Sequence, residues 1–442
     1  MENHSSTSHH PSQESTSPKG PITEEMNRHN GRIFLYGQLL MYFSAPVAYI
    51  GLVQAALCDK LGTSATIANL PLSFYQVGQV APLLGAWLVP HRHERSVVVW
   101  ATVVTASLLF LVFLTLILPL PSNVVVGALM MQGLLQGFSG SLTQVFQFQC
   151  LTRGTTVDGR VRAMKLTYSY GPLSAVLGSL GAQYILYPGI PGISFPYDFA
   201  LLYLMAVPCI VMRSKLVRGY RLATVADKPR KPFFGYWLMR IRDFASSRSL
   251  GLLWLGYWLW HCSLNTLPNL SLYSKVTLGR DSKDFAGLMM ALRFGFKAVG
   301  GYFLGQLSLR YGLRAGAMAT IGLLAAGILW AWVVPGYPYL LAFGFMGAGE
   351  LGGAYMPNFG AVISPVAAGP SNLTLLNLSS PSSSFAPATH GALADYFGFP
   401  ASFMFGLLTA AISLWLVTRI RADKLDPFRE EMEGKDQGTS RE

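Results

Sequence analysis

Residues 97–118 read VVVWATVVTASLLFLVFLTLIL, 22 positions without one charged side chain. At about 1.5 Å of rise per residue a helix of that length covers about 33 Å, enough to cross the roughly 30 Å hydrocarbon core of a bilayer. Eleven further stretches meet or approach that length. They are residues 33–57, 70–89, 124–148, 166–186 and 197–212 ahead of the middle of the chain, and 250–272, 286–309, 315–334, 339–362, 373–393 and 401–420 after it. The stretch at 197–212 is short and the one at 373–393 is polar. The expectation is an all-α membrane protein of 12 transmembrane helices.

Composition agrees with that expectation. The chain has 442 residues, 51% hydrophobic and only 12% charged, with a mean hydropathy of +0.38. A soluble domain carries roughly 25% charged residues. The net charge of +12 and the pI near 9.5 would point to nucleic acid only if the basic residues gathered on a soluble surface. Here they sit in loops between apolar runs, so no nucleic-acid partner is expected. The four cysteines, Cys58, Cys150, Cys209 and Cys262, are scattered without zinc-site spacing and read as packing residues. No metal and no cofactor is expected.

Positive loops stay in the cytoplasm. With the N-terminus inside, all of the 33 Lys and Arg residues fall on the cytoplasmic side except Lys60, Lys275, Arg280 and Lys283 in outer loops and Arg293 and Lys297 inside a span. Both termini are therefore expected to be cytoplasmic. Residues 1–30 are rich in Ser, His, Pro and Thr, lack the apolar core of a signal peptide, and read as a disordered tail. Residues 421–442 read as a second one. Residues 214–248 form a basic linker between a six-helix bundle at 31–213 and another at 249–420. Within that linker Phe234, Trp237, Leu238, Ile241 and Phe244 recur at helical spacing, as in a helix lying on a membrane surface. The compact loops fit a bacterial inner (plasma) membrane, and the chain is expected to act as a monomer.

Local motifs sharpen this organisation. Residues 305–314 run from Gly305 through Arg310 and Gly312 to Arg314, and residues 85–95 keep Gly85 with Arg92 and Arg95. Two six-helix halves with cytoplasmic termini, a long basic central loop and these two turns together resemble the major facilitator superfamily across residues 31–420. The resemblance implies a gating role for Gly85, Arg92, Gly305, Arg310, Gly312 and Arg314. Glycines allow close helix approach and cations cap helix C-termini. Leu309 stands where the family often has Asp, which removes the acid of its usual charge relay. Arg160 and Arg162 resemble the loop after the family's fourth helix, and Gly171, Pro172, Gly178 and Gly181 echo a signature of drug antiporters.

Ionisable residues inside a span cost about 2.5–3.5 kcal/mol on insertion scales and therefore face protein or water and find a partner. Arg293 and Lys297 stand four apart on one helical face. Glu350 lies at matching depth in the tenth span, which the resemblance places beside the eighth. Two cations against one acid favour an anionic substrate, and the resemblance to the family's anion carriers points the same way. A purely structural salt bridge is the other reading, and Glu350 as a proton acceptor a third. Gln132, Gln136, Ser139, Thr143 and Gln147 make a polar stripe suited to a cavity wall or to interhelical bonding. Tyr257, His261, Asn265 and Asn269 share a face of the seventh span, where Pro268 frees a carbonyl. The Ser- and Pro-rich run at 379–387 reads as pathway-lining.

Enzyme motifs such as HExxH, GxSxG or a P-loop are absent, so no enzymatic activity is expected. A receptor on a carrier fold is a further class. The expected activity is secondary transport of a small solute by alternating access, more an anion than a drug or metabolite for export. The lipid bilayer is its surroundings and the proton the candidate coupling ion.

Overall fold

The computed structural model describes residues 22–223, 232–364 and 369–420. Most of the expected tails and Lys228, Pro229, Arg230 and Lys231 of the linker lie outside the described residues. Within them the chain is all-helical, with no strand. Among the described residues five helices are long and apolar enough to cross a membrane by length and composition: Glu94–Ile117, Ser122–Gly154, Tyr197–Arg218, Leu313–Val333 and Phe399–Thr418. Two more, Val157–Tyr184 and Lys283–Tyr311, are unbroken but carry polar residues.

The other expected spans are interrupted. The first occurs as Glu24–Phe43, Ala45–Ala48 and Leu52–Lys60, and the second as Ala65–Gly78 and Ala81–Leu88. The seventh is Arg248–Leu264 and Leu267–Leu278, and the tenth is Leu341–Gly349 and Gly352–Ile363. The eleventh is in three pieces, Gly369–Asn377, Ser379–Ser382 and Ala386–Phe397. Gly51, with φ 144°, lies in the break between Ala45–Ala48 and Leu52–Lys60, a conformation that side chains disfavour. Gly312, with φ 83°, is the whole turn between Lys283–Tyr311 and Leu313–Val333.

Two sequence boundaries move. The first helix starts at Glu24 rather than residue 31. Thr23 accepts from the Met26 amide at 3.2 Å and Glu24 and Glu25 occupy the first turn, an N-terminal capping arrangement that favours helix. Asn30, expected in a tail, is fully buried and donates to the carbonyls of Gly154 and Arg221, each at 2.7 Å. The helix at 197 runs on to Arg218, so Arg213 is buried inside it rather than opening a loop.

Two main apolar cores lie mostly one in each half, and each takes in a few residues of the other. Leu57, Leu109, Leu129, Phe199, Tyr203 and Ile210 belong to one, and Leu253, Met289, Ile321, Phe343 and Phe403 to the other. The halves meet along two seams, Ala65–Gly78 against Ala386–Phe397 and Val157–Tyr184 against Lys283–Tyr311. At each seam a glycine allows backbone approach. A Cβ on Gly391 would collide with the backbone at Ala65 and Thr66, and one on Gly287 with the backbone of Gln183. The linker helix Phe233–Ser246 leaves Phe234, Leu238 and Ile241 exposed while burying Phe244 and packing Trp237 on the C-terminal core.

The bundle has two unlike ends. At the far end, where Lys60, Tyr184 and Leu278 lie, the halves are bonded together. Lys60 pairs with Asp281, Lys283 with Asp198 at 2.9 Å, and Lys275 with Asp59 at 3.7 Å. Asp395 accepts from the amides of Ala65 at 2.9 Å and Thr66 at 2.8 Å, a carboxylate on the positive end of a helix in the other half. At the near end, where Gly154, Arg218 and Tyr311 lie, the described ion pairs stay within one half, as Glu94 with Arg153 at 2.7 Å shows.

Candidate functional site

Arg293 and Lys297 rise on one face of Lys283–Tyr311, one turn apart, and Glu350 occupies the break between Leu341–Gly349 and Gly352–Ile363. The structure brings the three together: Arg293 Nε lies 3.0 Å from Glu350 Oε2 and Lys297 Nζ 3.3 Å from Glu350 Oε1. One carboxylate thus uses both oxygens on two cations. The Arg293 side chain is 8% exposed, while those of Lys297 and Glu350 are 17% and 15% exposed. The arginine is therefore enclosed and the other two border open space.

Aromatic rings from both halves surround this cluster. Phe294 is fully buried beneath both cations, each 5.8 Å from its ring centre. Tyr49 meets Phe294 edge-on at 5.2 Å and Tyr42 at 6.1 Å, and the two tyrosines stack on each other. Tyr75 also lies within electrostatic reach of Glu350 and Arg293. The site is a charged face on the C-terminal half set against an aromatic, hydroxyl-bearing face on the N-terminal half. Tyr49, Tyr75 and Phe294 were not singled out in the sequence, where aromatics are too common in membrane helices to stand out.

The polar stripe divides. Gln132 Nε2 donates to the Val47 carbonyl at 3.2 Å and Gln136 Nε2 to the Ala48 carbonyl at 2.6 Å. Gln54, which follows the break, also donates to Val47, at 3.0 Å. These glutamines supply donors to carbonyls that the interrupted first span leaves without helical partners. Ser139 bonds Thr105 at 3.0 Å. Gln147 Oε1, further along, accepts from Arg213 at 2.6 Å and from Gln38 at 3.4 Å.

On the seventh span, Asn265 sits at the helix break and exchanges bonds with Gln76 of the other half, accepting at 2.7 Å and donating at 3.3 Å. Asn269 accepts from Asn69 of the other half at 2.7 Å. These two amide pairs lie on the seam toward the far end. Tyr257 is buried against Trp260 and His261, and the His261 Nε2 is enclosed without a hydrogen-bond partner. None of these bonds reaches the Glu350 cluster.

The residues expected to gate lie in and around two connections at the near end, Arg92 and Gly312 in the connections themselves and Gly85, Gly305, Arg310 and Arg314 on the flanking helices. Gly85 packs so tightly on Leu142 that a Cβ would displace it. Arg92 is exposed beside His93 at 3.1 Å. Gly305 faces Tyr355, Arg310 lies over the Tyr311 ring, and Arg314 donates to the last turn of Phe399–Thr418 at the Thr418 carbonyl. Among the described residues no ion pair joins an acid to Arg310 or Arg314. In the first copy, Glu94 lies within the stretch, between Arg92 and Arg95, 2% exposed and paired to Arg153. Its position at the first turn of an apolar helix was the available signal.

Two bundles meeting about a charged cluster, with interrupted helices lining the seam, form the fold of major facilitator-type transporters. The chain is similar to a mutant of the nucleoside transporter NupG, at 12% identity over 89% of this chain and 98% of that one, with a TM-score of 0.64. It is similar to a mutant of the peptide transporter POT at 12% identity over 88% and 93%, TM-score 0.65. The transporter FucP in its outward conformation aligns at 12% identity over 88% and 98%, TM-score 0.61. No protein-family model and no curated protein matches the chain.

Proposed function

We propose that this protein is a secondary transporter that carries a small anionic solute across a membrane by alternating access. The observation that carries this reading is the triad of Arg293, Lys297 and Glu350, two cations bonded to one acid on the face where the halves meet. The triad keeps one positive charge uncompensated, and a charge at that depth is costly unless a partner or water meets it. An anion arriving from solution supplies the partner, with Lys297, the more accessible cation, as first contact.

The chain crosses the membrane twelve times in this reading, with the near end cytoplasmic and the interrupted spans at the moving seam. Residues 31–213 and 249–420 form the two bundles and 214–248 the linker, whose exposed Phe234, Leu238 and Ile241 lie in the membrane surface. The structural neighbours are transporters, and they lend the mechanism by likeness of fold. Glu350 exchanges its cations with the substrate or with a proton, which couples binding to the rocking of the halves.

The test is uptake of labelled anions, sugars and cationic drugs into proteoliposomes, for the wild type beside Arg293→Ala and Lys297→Ala. Uptake of an anion that both substitutions abolish supports the proposal. Transport of a neutral or cationic drug that both variants retain overturns it, makes the triad a structural salt bridge and favours efflux of drugs or metabolites.

A further inference from the structure

A second buried cation stands in the N-terminal half. Arg213, on Tyr197–Arg218, is only 6% exposed. Among the described residues no carboxylate pairs with it. Its one hydrogen bond there is to a neutral amide, Nη2 to Gln147 Oε1 at 2.6 Å, and its Nε is enclosed without a partner. One turn from Gln147 on the same helix face, Thr143 Oγ1 is also enclosed and unpartnered, in a residue 3% exposed. A guanidinium presents a planar fork that matches an oxyanion, and leaving such a group buried without a countercharge is costly.

The position of this cation relative to the Glu350 triad follows from the first helix. A Cβ on Gly37 would lie 3.7 Å from Arg213 Cγ and 3.6 Å from Gln147 Nε2. Tyr42, on the same helix, packs on Phe294 under Arg293 and Lys297. Those five residues advance about 7.5 Å along the axis. One uncompensated cation on each half thus lies on either side of the Tyr42 and Tyr49 pair.

We propose that Arg213, with Gln147 and Thr143, is a second oxyanion subsite, and that the solute carries two acidic groups, one held by Arg213 and the other by Lys297 and Arg293. The inference rests on the anion-carrier reading and extends it to a dianion of dicarboxylate type. A solute bonded to both halves at once draws them together at the near end, where the described ion pairs do not join them.

The test is binding to the detergent-purified full chain, read by thermal unfolding and calorimetry. The probes are succinate and glutarate as dianions, acetate as a monoanion and inorganic phosphate. The wild type should bind a dicarboxylate at least about tenfold more tightly than acetate, one good charge-assisted contact being worth about that factor. Arg213→Gln should erase that preference and keep acetate binding, and Arg213→Lys should restore part of it. Lys297→Gln should weaken both probes. Dicarboxylate preference unchanged in a monodisperse Arg213→Gln protein overturns the second subsite while leaving the anion-carrier reading intact. Phosphate bound as tightly as the dicarboxylates makes Arg213 a site for a single compact anion and overturns the two-group solute. Failure of every probe to bind the wild type overturns both readings.

Discussion

Glu350 is the residue on which the C-terminal half's charges depend, because each of its oxygens meets a different cation. Neutralising it leaves two cations enclosed together, whereas neutralising Lys297 leaves a balanced pair of Arg293 and Glu350. Breaking a buried pair by removing one partner costs roughly 3–5 kcal/mol, and partial access to solvent reduces that. Glu350→Gln should therefore unfold several degrees below wild type in detergent, and Lys297→Gln should fall much closer to it. Thermal unfolding of the two variants side by side checks the order. An equal loss would mean that the lysine, not the acid, organises the cluster. The same reasoning separates Gln136 from Gln147: the first spends its donor on the Ala48 carbonyl, and the second meets an unneutralised arginine.

At the scale of the element, the helix Ala65–Gly78 shows how one half is tied to the other. Its first free amides, on Ala65 and Thr66, point at Asp395 across the seam, with the Thr66 hydroxyl on the same carboxylate. A helix N-terminus carries partial positive charge, so an ionised acceptor there is worth more than a neutral one. Asp395→Asn keeps the shape and removes the charge. The expected outcome is a shift toward structures open at the far end, read as a longer distance between spin labels on exposed Tyr197 and Val276, which belong to opposite halves. An unchanged distance distribution would mean that the ion pairs of Lys60 and Lys283 hold the far end by themselves.

The whole molecule is held closed at one end by those bonds, so its preferred state should depend on pH through them. The Lys60 ammonium bonded to Asp281 holds that carboxyl below its ordinary value. A depressed carboxylate favours the bonded state at any pH above its ordinary pKa of about 3.9, and that preference fades as pH falls through the lowered value. The Tyr197 to Val276 distance should accordingly stay constant from about pH 8 to about pH 5 and lengthen only below about pH 4. Opening already near pH 6 would point to a histidine rather than to Asp281. Burial moves Asp284, in the first turn of the helix that follows, the opposite way.

The helical membrane character was legible in the chain, because apolar runs such as residues 97–118 add up residue by residue and need no knowledge of neighbours. The meeting of Arg293, Lys297 and Glu350 was legible in outline, since intramembrane charges are few and each needs a partner. The helix breaks were not: hydropathy is blind to whether a run stays helical at Gly51, Asn265 or Glu350, and the start at Glu24 lay in a capping pattern rather than in an apolar run. Direction was also beyond a one-dimensional pattern. Gln132 and Gln147 share a helix face, yet one reaches a free carbonyl and the other a buried guanidinium, according to which helix stands opposite. Arg213 read as the edge of a loop because a cation at a span's end ordinarily reaches water. Only the packing of the neighbouring helices around it decided that it is enclosed.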